Sequence, residues 1–521
     1  MNPWRSFLNV TIANFNMKEE NEKIHIIYVF IFTFIFLFSR EIIMNQRDVS
    51  MSWEPDALHE ECGVFGIIGH QDASQICYYG LHSLQHRGQE AAGICCENNG
   101  KMIFHKGEGL VTEVFNQDKL KELQGNSAIG HVRYSTAGGG GIANVQPFVF
   151  RTMQGSMSIC HNGNLVNANI LKQELEEQGS IFSSTSDTEV LGHLIKRQSG
   201  HMIDRICTSL DKLDGAFAFL IMVDNRIYAA RDKYGLRPLS IGILPNGAYV
   251  FASETCALDV VGAKFVRDVE PGEIVRVKDG KLLSKIYTKG PLQDKICAME
   301  YIYFSRPDSN LDGINVHTTR KLAGKQLYYE NPIDADVVIG VPDSSISAAI
   351  GYSEASGIPY EMGLVKNKYV GRTFIQPTQE MREQGVRMKL SAVSAIVSGK
   401  KVVMIDDSIV RGTTSKRIVR HLKDAGATEV HVRIASPAIK FPCFYGVDTS
   451  TIEELISNKM NVEELCKYIE ADSLAFISEE GLKKSIHFSK EHTCGLCMSC
   501  FNGNYVTNLY DSFDKANKFE K

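Results

Sequence analysis

The sequence predicts two domains of different class: an α+β domain built on antiparallel sheets, then a doubly wound parallel α/β domain. Three observations lead there. The chain has 521 residues and is 44% apolar, which exceeds the roughly 250 to 300 residues at which one core stops growing. From Cys62 to about residue 290 the text is dense in short apolar segments separated by glycine turns. From about 295 to 480 it changes to a repeating order of strand, loop and helix.

In the first stretch, "VFGII", "AIGHVRYST", "SMSICHNGNLV", "AFAFLIMV", "RIYAARD", "AYVFASE" and "EIVRVKDG" read as strands, and 165–177 and 187–198 as helices. Closely spaced strands with few helices predict antiparallel sheets. In the second, "ADVVIGVPDSS" leads into "ISAAIGYSEASG", and "KKVVMIDDSIVRGTTS" into "KRIVRHLKDAGA" before "EVHVRIASP". A continuous apolar strand, a polar loop and an amphipathic helix make a βαβ unit, so a parallel sheet follows. Ligands of such sheets sit at the carboxyl ends of the strands, where both loops fall.

The formal net charge of -5 excludes a basic field spread over the molecule, so no nucleic-acid partner is expected. A small-molecule partner is. Thirteen cysteines are too sparse for a disulfide scaffold and odd in number, so a cytoplasmic location is expected. The apolar run 24–38, "IHIIYVFIFTFIFLF", is shorter than the roughly 20 residues of a spanning helix. No small-residue cleavage site follows it. Methionines at 44 and 51 offer later starts, and residues 1–50 are expected to be absent from the working protein. A membrane anchor is the second reading.

Cys62 stands in "HEECGVFGI". Made N-terminal by cleavage after Glu61, it would have its own α-amine beside it, and an amine titrating near pH 8 can take the thiol proton. A buried free thiol is the plainer alternative. The surrounding blocks are "ECGVFGI", "LQHRGQEAAGI" (84–94), "GHVRYSTAG" (130–138), "HNGNL" (161–165), "SDTEV" (186–190) and "RDKYGLRPL" (231–239). In that order they resemble the N-terminal-nucleophile glutamine amidotransferases. The resemblance implies a four-layer αββα sandwich in which Cys62 attacks the glutamine side chain. Asn162 and the Gly163 N–H would hold the oxyanion, Arg133 the substrate carboxylate and Asp187 its ammonium. The plain alternatives are a surface ion pair for Arg133, a hairpin turn for Asn162-Gly163 and a helix N-cap for Asp187. Residues 51–61 then read as a propeptide.

In "VVMIDDSIVRGTTS" (402–415), a helix N-terminus with the hydroxyls of Thr413, Thr414 and Ser415 forms a cradle for a phosphate. Asp406 and Asp407 suit ribose hydroxyls or magnesium, and capping is the plain alternative. The run resembles the signature of the type I phosphoribosyltransferases. This implies that Ser408, Arg411, Gly412, Thr413, Thr414 and Ser415 bind 5-phosphoribosyl 1-pyrophosphate, and that Ser344 in "GVPDSS" joins Asp406 and Asp407 at Mg2+. "VGRTFIQPTQEMREQGVRMKL" (370–390) resembles the loop that covers that substrate, with Arg372, Arg387 and Lys389 as pyrophosphate contacts. A solvated basic loop is the alternative.

"TCGLCMSCF" (493–501) spaces three cysteines for a metal, with zinc and iron-sulfur both open. Together the two halves resemble the purine-committing glutamine amidotransferases that act on 5-phosphoribosyl 1-pyrophosphate, in their iron-sulfur branch. That branch implies a 4Fe-4S cluster on Cys297, Cys443, Cys497 and Cys500, with Cys494 competing for a place. Cys77, Cys95, Cys96, Cys160, Cys207, Cys256 and Cys466 are left as core thiols. The resemblance also implies feedback by purine nucleotides and a homo-oligomer, a tetramer. The organisation expected is leader and propeptide 1–61, amidotransferase domain 62–292, phosphoribosyltransferase domain 293–480 and a cysteine-bearing segment 481–521. A purine-responsive regulator that binds the phosphoribosyl substrate without turnover is the rival reading, disfavoured by the complete amide-cleaving set.

Overall fold

The computed structural model describes residues 62–510 except 135–140, 153–154, 224, 279, 290–293, 368–389, 448–451 and 487–494. The leader, the propeptide and the run 24–38 therefore lie outside the described residues, as do Arg372, Arg387, Lys389 and Cys494. Among the described residues no helix is long and apolar enough to cross a membrane.

Among the described residues thirteen strands make the first domain: β1 (Gly63–Ile68), β2 (Ala91–Asn98), β3 (Lys101–Glu108), β4 (Ser127–Arg133), β5 (Phe148–Thr152), β6 (Gly155–Leu165), β7 (Gly215–Val223), β8 (Arg226–Arg231), β9 (Ser240–Ile243), β10 (Tyr249–Ala252), β11 (Lys264–Asp268), β12 (Glu273–Lys278) and β13 (Lys281–Ile286). They form a seven-stranded sheet, β11-β9-β10-β1-β4-β2-β3, and a six-stranded one, β13-β12-β8-β7-β6-β5. Every pairing is antiparallel.

Side-chain alternation decides the layering. Along β7, Ala218, Leu220 and Met222 enter the core between the sheets with Val64 of β1. Phe217, Phe219 and Ile221 face the other way, onto the helices Thr188–Arg197 and Met202–Leu210. Phe65 and Ile67 of β1 likewise face the helix Ala73–Ser83. Helix, sheet, sheet, helix is the four-layer sandwich expected. "GAFAFLIMV" is buried at every position because both its faces are covered.

The second domain opens with β14 (Lys295–Cys297), a π-helical turn (Glu300–Phe304) and a hairpin of β15 (Asn310–Leu311) and β16 (Ile314–Asn315). β17 (Val337–Gly340), β18 (Leu364–Lys366), β19 (Leu390–Ala392), β20 (Lys401–Asp406), β21 (Glu429–Ile434), β22 (Ser473–Phe476) and β23 (Gly495–Cys497) follow. β17, β20, β21 and β22 lie side by side in that order, all parallel. Val338, Val403 and Ile405 pack on the helices Val316–Glu330 and Ile346–Ser356 on one face. Val337, Val402 and Met404 pack on the helix Thr413–Asp424 on the other. This is the doubly wound sheet. β18 and β19 pair antiparallel at the two ends of segment 368–389.

Polar groups join the halves. Ser309 donates to the Glu254 carboxylate at 2.6 Å, and the Arg231 guanidinium meets Asp312 at 3.1 Å. Asp268 accepts from Ser240 at 2.6 Å and from the Asp312 N–H at 3.1 Å. Burial, and then the neighbouring Asp312 carboxylate, push its carboxyl up to about 6. The folded chain therefore holds a proton that the unfolded chain has released between roughly pH 4 and 6, so stability falls as pH rises through that window. Asp268→Asn is expected to raise stability at pH 7 to 8 by roughly 1–3 kcal/mol and to flatten this dependence, as read from denaturant midpoints across pH. An unchanged slope would contradict it.

Candidate functional site

Cys62 enters β1 directly opposite the end of β4, because Gly63 pairs with Val132. Its sulfur lies 3.5 Å from the Tyr134 carbonyl, and its own carbonyl accepts from Arg87 Nε at 3.2 Å. Arg133, at the end of β4, is buried beside it. His131 Nε2 donates to the His161 carbonyl at 3.0 Å, tying β4 of one sheet to β6 of the other. Burial, and then the Arg133 charge, push the His131 imidazole down to about 3, so it remains a neutral donor.

β6 carries the next pair, and it runs straight through both residues. Asn162 and Gly163 are strand, not the hairpin turn of the plainer reading. Asn162 is fully buried, and neither its amide nitrogen nor its oxygen has a hydrogen-bond partner among the described residues. An unsatisfied buried polar atom costs about 1–3 kcal/mol, and two on one side chain mark a place where a ligand completes the bonding. Gly163 has φ +141, and a Cβ there would fall 2.0 Å from the Ala216 carbonyl oxygen. Only glycine fits.

The N-cap reading of Asp187 is corrected. It precedes the helix Thr188–Arg197, but it is helical itself (φ −62, ψ −28) and makes no side-chain cap bond. An N-cap needs extended backbone for its oxygen to reach back. The carboxylate instead accepts from the Leu165 N–H at 2.9 Å and lies 3.5 Å from His161 Nδ1. Burial works to raise this carboxyl, but the charge and hydrogen bond of His161 and the Leu165 and Thr188 N–H groups hold it below its usual range. An anion beside β6 is the result.

Sequence reasoning singled out neither Arg87 nor its partners. Arg87 Nη1 meets Glu254 at 2.7 Å, and Nη2 meets Glu300 at 2.7 Å. His86 Nε2 reaches Glu254 at 2.7 Å, and Arg237 lies 3.5 Å from Glu300. Burial opposes ionisation of both carboxyls, yet His86 and Arg87 hold Glu254 well below, and Arg87 and Arg237 hold Glu300 below, the ordinary value. Arg87 was visible within "LQHRGQ", but its partners lie far along the chain. Asp232, inside "RDKYGLRPL", collects the N–H groups of Phe217, Tyr234 and Leu236 and so has a structural role.

In the second domain a cleft of about 370 Å³ opens at the carboxyl ends of β17 and β20. Ser344, Asp406, Asp407, Ser408, Thr414 and Ser415 line it. Ser344 donates to Asp407, Ser408 to Asp407 at 2.6 Å, and Ser345 to Asp406 at 3.2 Å. Burial pushes the Asp407 carboxyl up against these donors and the charge of Arg320, a buried residue the sequence did not point to. Gly412, φ +76, turns the chain into the helix Thr413–Asp424. Arg411 is held by Glu454 at 2.5 Å. His86 and Gln89 of the first domain also line the cleft.

Cys297, Cys443, Cys497 and Cys500 line one cavity, with Leu236, Ile439 and Val447 among its other walls. Cys297 and Cys497 are direct partners in the parallel ribbon of β14 and β23. Burial pushes Cys443 up to about 11 and raises Cys497 and Cys500 as well. Among the described residues no three His, Cys, Asp or Glu side chains are gathered so as to hold a metal ion. Cys77, Cys95, Cys96, Cys160, Cys207 and Cys256 are buried thiols outside any disulfide, and Cys466 is a partly buried one.

A glutamine amidotransferase domain profile matches residues 131–260, and a phosphoribosyl transferase domain profile matches 318–438. The amidophosphoribosyltransferase of Bacillus subtilis is 62% identical over 461 residues, 88% of this chain and 96% of that protein. The chain belongs to the amidophosphoribosyltransferase family. The Staphylococcus aureus amidophosphoribosyltransferase is 54% identical over 457 residues, 87% of this chain and 92% of its own. The glutamine phosphoribosylpyrophosphate amidotransferase of B. subtilis, solved with ADP and GMP, superposes with a TM-score of 0.82 at 60% identity, over 86% of this chain and 98% of that one. A structure described as the allosteric regulatory enzyme of purine biosynthesis gives 0.83 at 61% identity, over 86% and 97%. As an amidophosphoribosyltransferase, the chain is an enzyme that moves ammonia from glutamine onto 5-phosphoribosyl 1-pyrophosphate at the first step of purine synthesis, and the non-catalytic reading is set aside.

Proposed function

We propose that the glutamine half-reaction runs on Cys62 as an N-terminal residue freed by removal of the segment ending at Glu61, with its α-amine taking the thiol proton. The doubly unsatisfied Asn162 carries this reading, since an amide with no partner supplies a donor where negative charge develops. Gly163 offers its N–H to the same oxyanion. Arg133 pairs with the substrate carboxylate, and Asp187, kept anionic, receives the ammonium. Released ammonia then attacks C1 of the ribose and pyrophosphate leaves.

In the second half, the N–H groups and hydroxyls of residues 411–415 receive the 5-phosphate of the substrate, with Ser408 beside them. Arg372, Arg387 and Lys389 are assigned to the pyrophosphate. Asp406, Asp407 and Ser344 suit Mg2+: two buried adjacent carboxylates have a cation's charge to gain. Magnesium there would neutralise the leaving pyrophosphate.

Cys297, Cys443, Cys497 and Cys500 suit a 4Fe-4S cluster. Thiols spread over the walls of one cavity fit a polynuclear group better than a single zinc, whose ligands converge to about 2.3 Å. The cluster would be structural, since no electron is transferred in the reaction. We place the domains at 62–292, 293–480 and 481–521, and the enzyme in the cytoplasm, where free thiols persist. A homotetramer and inhibition by purine nucleotides complete the reading, the latter supported by the ADP and GMP bound in the B. subtilis relative.

Mass spectrometry of the enzyme isolated without oxygen, under native and denaturing conditions, tests the two covalent claims. A chain beginning at Cys62 with four irons and four sulfides is expected, together with loss of the cluster's visible absorbance and of activity in air. A chain retaining Glu61 at full glutamine turnover would overturn the first claim. Iron-free protein at full activity would overturn the second.

A further inference from the structure

The oxyanion strand of the first domain is backed by a loop of the second. Asn164, one residue beyond Gly163 on β6, donates from Nδ2 to the Phe444 carbonyl at 2.9 Å. Gly446, φ +112, lies flat against the same place: a Cβ there would stand 3.4 Å from the Gly163 carbonyl carbon, 3.6 Å from its oxygen and 3.1 Å from Arg237 Nη2.

That loop is itself fixed. Arg237 donates to the Tyr445 carbonyl, and the Tyr445 N–H reaches Cys443 Sγ at 3.3 Å. The Tyr445 ring packs with Val166, Ala216 and Leu236, and its hydroxyl accepts the N–H groups of Val506 and Thr507 at 3.0 and 3.1 Å. Gly163 thus has the Ala216 carbonyl close on one side and Gly446 as its neighbour on the other.

We propose that residues 443–446 form the outer wall of the oxyanion hole, and that Asn164, through its bond to Phe444, is a positioning residue for glutamine hydrolysis. The inference rests on the reading of Asn162 and Gly163 as that hole. Oxyanion donors act only within a few tenths of an ångström of their place, and a shift of 1 Å can cost roughly 100-fold in rate. A glycine with a left-handed φ has little of its own to hold its N–H in one direction. The wall supplies that, and Asn164 fastens the wall to the strand.

The test compares Asn164→Leu, Asn164→Gln and Gly446→Ala in the full enzyme, with glutamine and with free ammonia as nitrogen donor. Asn164→Leu keeps the volume and removes the donor; Gly446→Ala disturbs the wall itself, because its φ of +112 strains any side chain and the new Cβ crowds Arg237 Nη2 at 3.1 Å. For both, kcat with glutamine is expected to fall about tenfold or more, KM to stay within about twofold, and ammonia-dependent turnover to hold. Asn164→Gln, which restores a donor, should recover part of the loss. Equal falls with both nitrogen donors, a rise in KM alone, or unchanged glutamine turnover would each overturn the proposal. Asn162→Ala separates the layers: were it fully active with glutamine, the oxyanion reading itself would fall, whereas an inactive Asn162→Ala beside an unaffected Asn164→Leu removes only the wall.

Discussion

Cys62→Ala is expected to lose glutamine-dependent synthesis by about a thousandfold or more while ammonia-dependent synthesis continues. The size follows from what is removed: an amide carbonyl has no other nucleophile at this site, and deleting an enzyme's nucleophile costs roughly 10³ to 10⁶ in rate. Sparing of the ammonia reaction follows from the architecture. Cys62 stands at the entry to β1, whereas the phosphoribosyl cleft lies at the carboxyl ends of β17 and β20. Replacing a partly exposed thiol by a methyl group also leaves the β1–β4 ladder intact. Parallel assays with both nitrogen donors decide it. Glutamine turnover in the variant near the parent rate would remove Cys62 from the chemistry.

Arg87→Leu is expected to be the most damaging single change to stability. Arg87 is 1% exposed, and Glu254 and Glu300 are fully buried. Taking away the guanidinium that spans them leaves two buried carboxylates with only His86 and Arg237 against them, and breaking a buried pair from one side costs about 3–5 kcal/mol. The change also releases the Cys62 carbonyl, so glutamine turnover falls with it. Arg87→Lys should recover only part, because a single ammonium cannot span two carboxylates and a carbonyl as a guanidinium does. Both carboxyls are held below their ordinary values, so this stabilisation is complete above roughly pH 4.5 and is lost as pH falls through the folded values. Thermal and denaturant unfolding give the measurement, and an unmoved transition in Arg87→Leu would contradict the account.

Much of this architecture was legible. The strand through "AFAFLIMV" could be read because a segment covered on both faces must be continuously apolar, and "VVMIDD" ended where a parallel strand delivers its ligand loop. Strands β2, β3, β5, β9, β11 and β13 were not read out. β13 is mostly exposed, so its sequence carries no burial signal. At the candidate site, Cys62 stands just ahead of β1, Arg133 on β4, and Asn162 and Gly163 on β6, and all four are legible as family motifs. The plain reading of Asp187 as a cap failed, because the cap rule knows only the residue's neighbours, whereas the bond to Leu165 comes from another element. Arg87, Glu254, Glu300 and Arg237 stayed hidden for the same reason: a buried charge can be foreseen only when its partner is known, and here tertiary folding chooses the partner. The four thiols were singled out by spacing and family likeness, not by burial, and they line one cavity.

The ribbon of β14 and β23 makes the order of biosynthesis matter. Every strand of the antiparallel sandwich lies between Gly63 and Ile286, so that half can close while the ribosome is still translating. Lys295–Cys297, in contrast, has to wait for Gly495–Cys497, almost the last described segment. The nascent second half therefore stays open along one edge until translation is nearly over, and a message cut short before codon 495 would yield a finished sandwich attached to an unsealed partner.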